Sequence, residues 1–386
     1  MSSMLDNTTT TTTPTLPQAR ANVLAMPEYH PPLASRAMLR LDFNENTVAP
    51  SPRVFKRLQE LTAEGLTIYP ERAHGEAAVA KYFHLSPEQV LLSSGVDEGI
   101  HLLACAFLEA EDEVLINTPS FFMYDVSCSM MTQNVVRVQS DDDFRFPFER
   151  MRAALTPRTK LVLLASPNNP TGATVSREHI LALAAAAPQA VIFADEAYFH
   201  FHGETTLGDI HHVPNLIVGR TFSKAYGLAN LRLGMMAGHP QLIRFMKKVA
   251  SPYNVNGIAL AVLAEALADE EYLDNYVREI RQGRERLQQA FHSFGVRTWP
   301  SATNFILFDI GRRHAEFVAK MRERGVLVRD RSADPGCDGY VRITLGVEWQ
   351  VTRAIAAIQE TLEAMHWQPE EGRLAHGKSS GEAREL

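Results

Sequence analysis

Between residues 90 and 218 short apolar runs alternate with helical stretches, and this alternation constrains the fold more than any other feature of the chain. The run 90–95 is a strand ending in Gly95, and 113–117, 135–138, 160–165, 190–194 and 216–218 read as further strands. Helical periodicity fills 96–108, 121–131, 147–155 and 176–187 between them. Apolar strands interleaved with helices predict an α/β fold, a mostly parallel sheet covered by helices on both faces. Helices are also expected over 241–249 and over one long stretch, 256–294. After Gly295 the pattern changes to strands at 303–308, 326–329 and 340–345 with helices at 316–324 and 348–365, a smaller α+β lobe.

The stretch before the sheet begins with six consecutive threonines, Thr8 to Thr13, too polar to bury a face. It continues through Tyr29-His30-Pro31-Pro32, where paired prolines exclude helix. A short strand is expected over 39–43, then a polar turn, Asn44-Glu45-Asn46, then a helix opened by Ser51-Pro52 and another over 76–83. The expected organisation is a tail at 1–13, an arm at 14–46 packing with the small lobe, a large domain at 47–295, a small domain at 296–366 and a polar tail at 367–386.

A formal net charge of -7 argues against a nucleic-acid footprint. Three cysteines, Cys105, Cys128 and Cys337, form no C-x-x-C pair and no metal site is expected. No signal peptide is read at the N-terminus, and the apolar region 180–194 is broken by Pro188-Gln189. A cytoplasmic, reducing location is the expectation.

In an open parallel sheet, ligands bind outside the carboxyl ends of the strands. Four polar clusters fall at such ends. Ser94-Gly95-Val96-Asp97 offers amides at a helix start, suited to a phosphate, and reads equally as a capped turn. Ser166-Pro167-Asn168-Asn169-Pro170-Thr171-Gly172 is a loop in which a buried Asn could donate to a ligand oxygen. Asp195, after the apolar 191–194, is costly unless it meets a cation such as a protonated pyridine, or caps the next helix. Arg220-Thr221-Phe222-Ser223-Lys224-Ala225-Tyr226-Gly227 sets a lysine between hydroxyls and the later Arg232. That lysine suits imine chemistry with an aldehyde cofactor, or lies at the surface beside a turn.

With these clusters in this order, and Val341-Arg342-Ile343-Thr344-Leu345-Gly346 after them, the chain resembles fold-type I, pyridoxal-phosphate-dependent aminotransferases, most of all the histidinol-phosphate aminotransferase family. The resemblance covers roughly residues 29–365. It implies Lys224 as the Schiff-base lysine and proton-shift base, Asp195 on the pyridine nitrogen, and Tyr198 with Asn169 on the phenolic oxygen. It implies Phe121 stacked on the ring and a phosphate held by Val96 and Asp97 amides, Ser223 and Arg232. Tyr69 would reach that phosphate from a second subunit, making the active unit a homodimer. Arg342 and Arg329 would bind substrate anions, and Tyr29 would close over the substrate. The reaction implied is L-histidinol phosphate with 2-oxoglutarate giving imidazole-acetol phosphate and L-glutamate.

Departures from the family pattern are Thr47 after Asn-Glu-Asn where proline is usual, Asn230 where glycine precedes Leu-Arg, Phe122 where a small residue is common, and a shortened spacing after Tyr69-Pro70-Glu71. Asn tolerates the left-handed region, so the turn at 230 is expected to survive. Phe122 and the spacing leave two rivals open, an aromatic amino-acid aminotransferase and a phospho-amino-acid decarboxylase. A cofactor-binding regulator is a third, disfavoured because every cofactor group is present.

Overall fold

The computed structural model describes residues 16–26, 28 and 37–373. Residues 1–13, 374–386 and Tyr29 lie outside the described residues, while the first part of the polar tail expected at 367–386 is ordered, with Trp367 buried and Pro369–Arg373 helical. Among the described residues twelve strands form three sheets. The largest contains β2 (Val90–Ser93), β3 (Glu113–Thr118), β4 (Val135–Gln139), β5 (Thr159–Ala165), β6 (Val191–Asp195), β7 (Leu216–Thr221) and β8 (Gly234–Gly238), in the order β2-β8-β7-β6-β5-β3-β4. Strands β7, β6, β5, β3 and β4 are mutually parallel, and β8 runs antiparallel to both β2 and β7.

Period-2 side-chain alternation explains why these strands read as continuous apolar runs. Along β5, Leu161, Leu163 and Ala165 join the core on one face, while Val162 and Leu164 join the core on the other. The first face is covered by the helices Gly95–Phe107, Met123–Ser129 and Pro240–Val249, through Ile100, Tyr124 and Ile243. The second is covered by Arg177–Ala186, Gly257–Ala268 and Glu270–Ser293 among others, and its core continues into the small lobe through Phe305, Val341 and Ile358.

Strand β8 was not expected from the sequence. Gly-Met-Met-Ala-Gly has no β-branched or aromatic residue, so its strand signal is weak. The stretch 256–294 is two helices, because the Asp269 carboxylate accepts from the Tyr272 amide at 3.2 Å and starts a second helix with Glu270 and Glu271 in its first turn. The helix expected from 76 begins at Arg72, four residues earlier, where Arg72 pairs with Glu76 at 2.9 Å.

The expected strand 326–329 changes partners at Val328. Its first half, β10 (Val326–Leu327), pairs in parallel with β1 (Leu39–Arg40), the end of the N-terminal arm. Its second half, β11 (Arg329–Asp330), pairs antiparallel with β12 (Tyr340–Thr344), which also pairs with β9 (Phe305–Asp309). The register sets Arg329 opposite Arg342.

Candidate active site

A cavity of about 850 Å³ lies at the edge of the large sheet where β5, β6 and β7 end, and its walls include residues from the small lobe and from the arm. Strand β8 reaches the same edge by its amino end, because it runs the other way, and so delivers Arg232 to the cavity. Val96, Asp97, Phe121, Asn169, Asp195, Tyr198, Ser223, Lys224, Arg232, Arg329 and Arg342 all line this one space. Tyr69 does not. Its ring is 74% exposed and stacks on Tyr253 with centroids 4.4 Å apart.

Asp195 ends β6 and is buried. One carboxylate oxygen accepts from the Tyr124 hydroxyl at 2.7 Å, and the other accepts from the Ala197 amide at 3.0 Å, so it also caps the turn that follows. No cation pairs with it among the described residues. Burial therefore pushes its carboxyl up to about 6, against the two hydrogen bonds that favour the anion.

Lys224 follows β7. Among the described residues its Nζ donates to the Phe43 carbonyl alone, at a long 3.4 Å. Burial, and then the positive charge of Arg342, bring the amine down to about 8. Tyr198 is buried, its ring meets Phe305 edge-on at 5.3 Å, and its oxygen accepts from Asn44 Nδ2 at 3.0 Å. Asn169 Oδ1 accepts from Arg342 Nη1 at 2.5 Å, so Asn169 ties the large sheet to β12.

At the other end of the cavity Arg232 Nη2 donates to Asp97 Oδ2 at 2.8 Å. Gly95 has φ +76°, and a Cβ there would collide with the Arg232 guanidinium. Gly234, where β8 starts, lies so close to the helix Gly95–Phe107 that a Cβ would meet the Val96 amide nitrogen. The left-handed non-glycine residue of this loop is Arg232, at φ 51°, and not Asn230, which lies in a 3₁₀ turn, Ala229–Leu231. The need for a tolerant residue at 230 is thus corrected, since the reversal happens two residues later. Ser94 turns its amide to Glu98 Oε2 at 2.5 Å and is not a wall residue, so the seat at this helix start is made by Val96 and Asp97.

The small-lobe side is rich in cations. Arg342 is buried; its Nη2 donates to the Asp42 carbonyl at 2.8 Å and its Nε has no hydrogen-bond partner among the described residues. Burial and then the neighbouring Arg331 lower it to about 9. Arg331 lines the cavity and pairs with Asp334. Sequence reasoning missed Arg331, Tyr124 and Asn44. Arg331 stands two residues after Arg329, the spacing that returns a strand to one face. Tyr124 follows the Phe121 cluster by one helical turn. Asn44 had no signal beyond a polar turn.

The donor set matches the chemistry of pyridoxal phosphate. An amine held near neutrality, a buried carboxylate lacking a cation, and an anion seat of arginine, serine and helix amides suit an aldehyde, a basic ring nitrogen and a phosphate. The residues fit.

This fold and donor set define a pyridoxal-phosphate-dependent transferase. The family described as aminotransferase class I and II matches residues 36–358, and the chain belongs to it; the protein is a pyridoxal-phosphate-dependent aminotransferase. It is 31% identical over 365 residues to a histidinol-phosphate aminotransferase from Moorella thermoacetica, covering 90% of this chain and 94% of that one. The structure of histidinol-phosphate aminotransferase from Sinorhizobium meliloti in complex with pyridoxal-5'-phosphate has the same fold, with a TM-score of 0.82 at 24% identity over 91% of this chain and 99% of that one. L-threonine-O-3-phosphate decarboxylase from Porphyromonas gingivalis is also similar, with a TM-score of 0.75 at 25% identity, covering 84% and 100%. Among the described residues no helix is long and apolar enough to cross a membrane.

Proposed function

We propose that the protein moves the amino group of L-histidinol phosphate to 2-oxoglutarate, giving imidazole-acetol phosphate and L-glutamate. The observation that carries this reading is the set of Arg329, Arg331 and Arg342 on the cavity wall, a surplus of positive charge suited to a substrate phosphate in one half of the cycle and a carboxylate in the other. The relatives' names support the same choice.

Pyridoxal phosphate supplies an aldehyde that condenses with amines and a ring that withdraws electrons from the bond being broken. The chain's residues do the rest. Lys224 holds the cofactor covalently, and its Nζ takes and returns the proton moved during transfer. Asp195, oriented by Tyr124, keeps a proton on the ring nitrogen. Tyr198 and Asn169 would hydrogen-bond the cofactor's phenolic oxygen, and Phe121 would pack on its ring. Arg232, Ser223 and the Val96 and Asp97 amides hold the phosphate.

Tyr69 completes that phosphate site in a homodimer. Its exposure, together with the exposed Leu66, Ile68 and Tyr253, supports a second copy as the cover of this surface. In the same reading residues 47–295 are the large domain, and residues 296–366 a small lobe that carries the arm on β10.

Single-turnover absorbance of the loaded enzyme tests the substrate. Histidinol phosphate is expected to convert the cofactor band and phenylalanine to leave it, with 2-oxoglutarate restoring it. Conversion by phenylalanine alone would move the protein to the aromatic aminotransferases, which the neighbouring rings of Phe121 and Phe122 favour. Decarboxylation of a phosphorylated amino acid, favoured by the likeness to the P. gingivalis structure, would instead release carbon dioxide with no keto acid present.

A further inference from the structure

We infer that Asn44 is a positioning residue that sets the direction of the Tyr198 proton, making the hydroxyl a donor into the cavity. The direction follows from which atoms can donate. The Asn44 backbone N–H can only donate, and it points at Thr344 Oγ1 at 3.0 Å. The Thr344 hydroxyl, accepting there, gives its own proton to Asn44 Oδ1 at 3.2 Å. This fixes the amide, so that Nδ2 faces Tyr198 and donates to its oxygen at 3.0 Å. Tyr198 accepts from Asn44, and its own proton is left for the cavity it lines.

The relay is rigid. Asn44 is 1% exposed, sits at φ 54°, and its carbonyl accepts from Asn304 Nδ2 at 3.2 Å. It thereby joins the arm, Tyr198 after β6, and two small-lobe residues, Asn304 just before β9 and Thr344 at the end of β12. Asn and Asp are the side chains that best tolerate this backbone region, which makes Asn44→Asp a conservative probe. A carboxylate offers no donor, so in that variant the Tyr198 proton turns away from the cavity.

This inference rests on the reading of Tyr198 as a partner of the cofactor's phenolic oxygen, and the test separates the two. The visible band of the loaded enzyme is titrated with pH. The charged groups around Lys224 and Tyr198 are Glu45 from the arm, Asp97 and Arg232 from the phosphate end, Asp195 from β6, and Arg331 and Arg342 from the small lobe. They are left unchanged in every variant. Losing a donor to an anionic oxygen makes that oxygen more basic, so Tyr198→Phe is expected to raise the midpoint by about one pH unit. N44D is expected to raise it as far, and the N44D/Y198F double variant no further than Y198F alone. Thr344→Val, which keeps the shape and removes the relay oxygen, gives a smaller rise and serves if N44D does not fold. A midpoint unmoved in N44D or in T344V while Y198F moves it overturns the relay. An N44D shift that adds fully to that of Y198F overturns it too, because the residue then acts by charge or packing. A Y198F midpoint that does not move overturns the reading of Tyr198, and this inference with it.

Discussion

The two halves of the cavity are built on different principles. On the large-sheet half each charged group has a counterpart or awaits one of defined sign: Arg232 meets Asp97, and the buried Asp195 is held by a phenol and an amide in a position that suits a cation. On the small-lobe half Arg329, Arg331 and Arg342 face the cavity, and burial followed by the positive charges of Arg331 and Arg329 lowers Arg342 to about 9. The first half is specific by position, since strand ends fix where each atom stands. The second is specific by charge, and it will hold any anion that reaches the fork of an arginine. One half defines the cofactor, and the other leaves the substrate to be decided by the number and spacing of its negative charges.

The sharpest way to break this contrast is on the large-sheet half. Lys224→Ala is expected to cost roughly 10⁴-fold or more in kcat and to abolish the covalent cofactor band, measured by single-turnover absorbance. Asp195→Asn should show two opposite effects. Activity falls by roughly 10²- to 10⁴-fold, the equivalent of about 3–5 kcal/mol for breaking a buried ion pair. The apoprotein, however, gains stability near neutral pH. The sign follows from the raised carboxyl. With a folded value of about 6, above the ordinary 3.8 of the unfolded chain, the native state binds more protons between these values, and stability falls as pH rises from about 4 through about 6. That loss is on the order of 3 kcal/mol; chemical denaturation of the apoprotein across pH should show it, and should show it removed in the asparagine variant.

On the small-lobe half the effects are smaller and depend on the substrate. Arg329→Ala should lower kcat/KM by roughly 10- to 100-fold for a phosphorylated amine, the equivalent of about 1.5–3 kcal/mol for a charged hydrogen bond. Arg331→Met should cost about tenfold for a doubly charged substrate and little for a singly charged one. Equal losses for both would show that this half, too, works by position. The smallest effect is one of pH. Because Lys224 sits at about 8 and reacts only as the neutral amine, the rate of cofactor uptake by the apoprotein should rise up to about pH 8 and then level off, as read by stopped-flow absorbance.

The large-sheet half was legible in the sequence and the small-lobe half only partly. Strands β2 to β7 are apolar runs ended by turn residues, so Asp195, Asn169 and Lys224 could be placed on one edge before any coordinates. The reversed strand β8 could not, since two glycines and two methionines carry little strand preference. Arg232 is nonetheless legible, from its place after the hydroxyls and lysine of one polar loop as well as from the family motif. The break at Asp269 was signalled by Asp-Glu-Glu, an acidic helix start hidden inside a long helical pattern. Asn44 depends on side-chain partners far away in the chain, such as Thr344, 300 residues on, and a local reading cannot supply those. Tyr69 was legible only through resemblance, and in one chain it stands apart from the cavity.

Strands β7 and β8 are antiparallel neighbours joined by a single excursion, and that excursion carries Ser223, Lys224 and Arg232. In the proposed site the covalent tether and the ionic tether of the cofactor would therefore belong to one hairpin. Loosening that hairpin releases both at once, and binding the cofactor staples it. Retention of the cofactor is then a matter of the opening rate of one cooperative unit, and amide exchange across residues 216–238 should slow as a block when the enzyme is loaded.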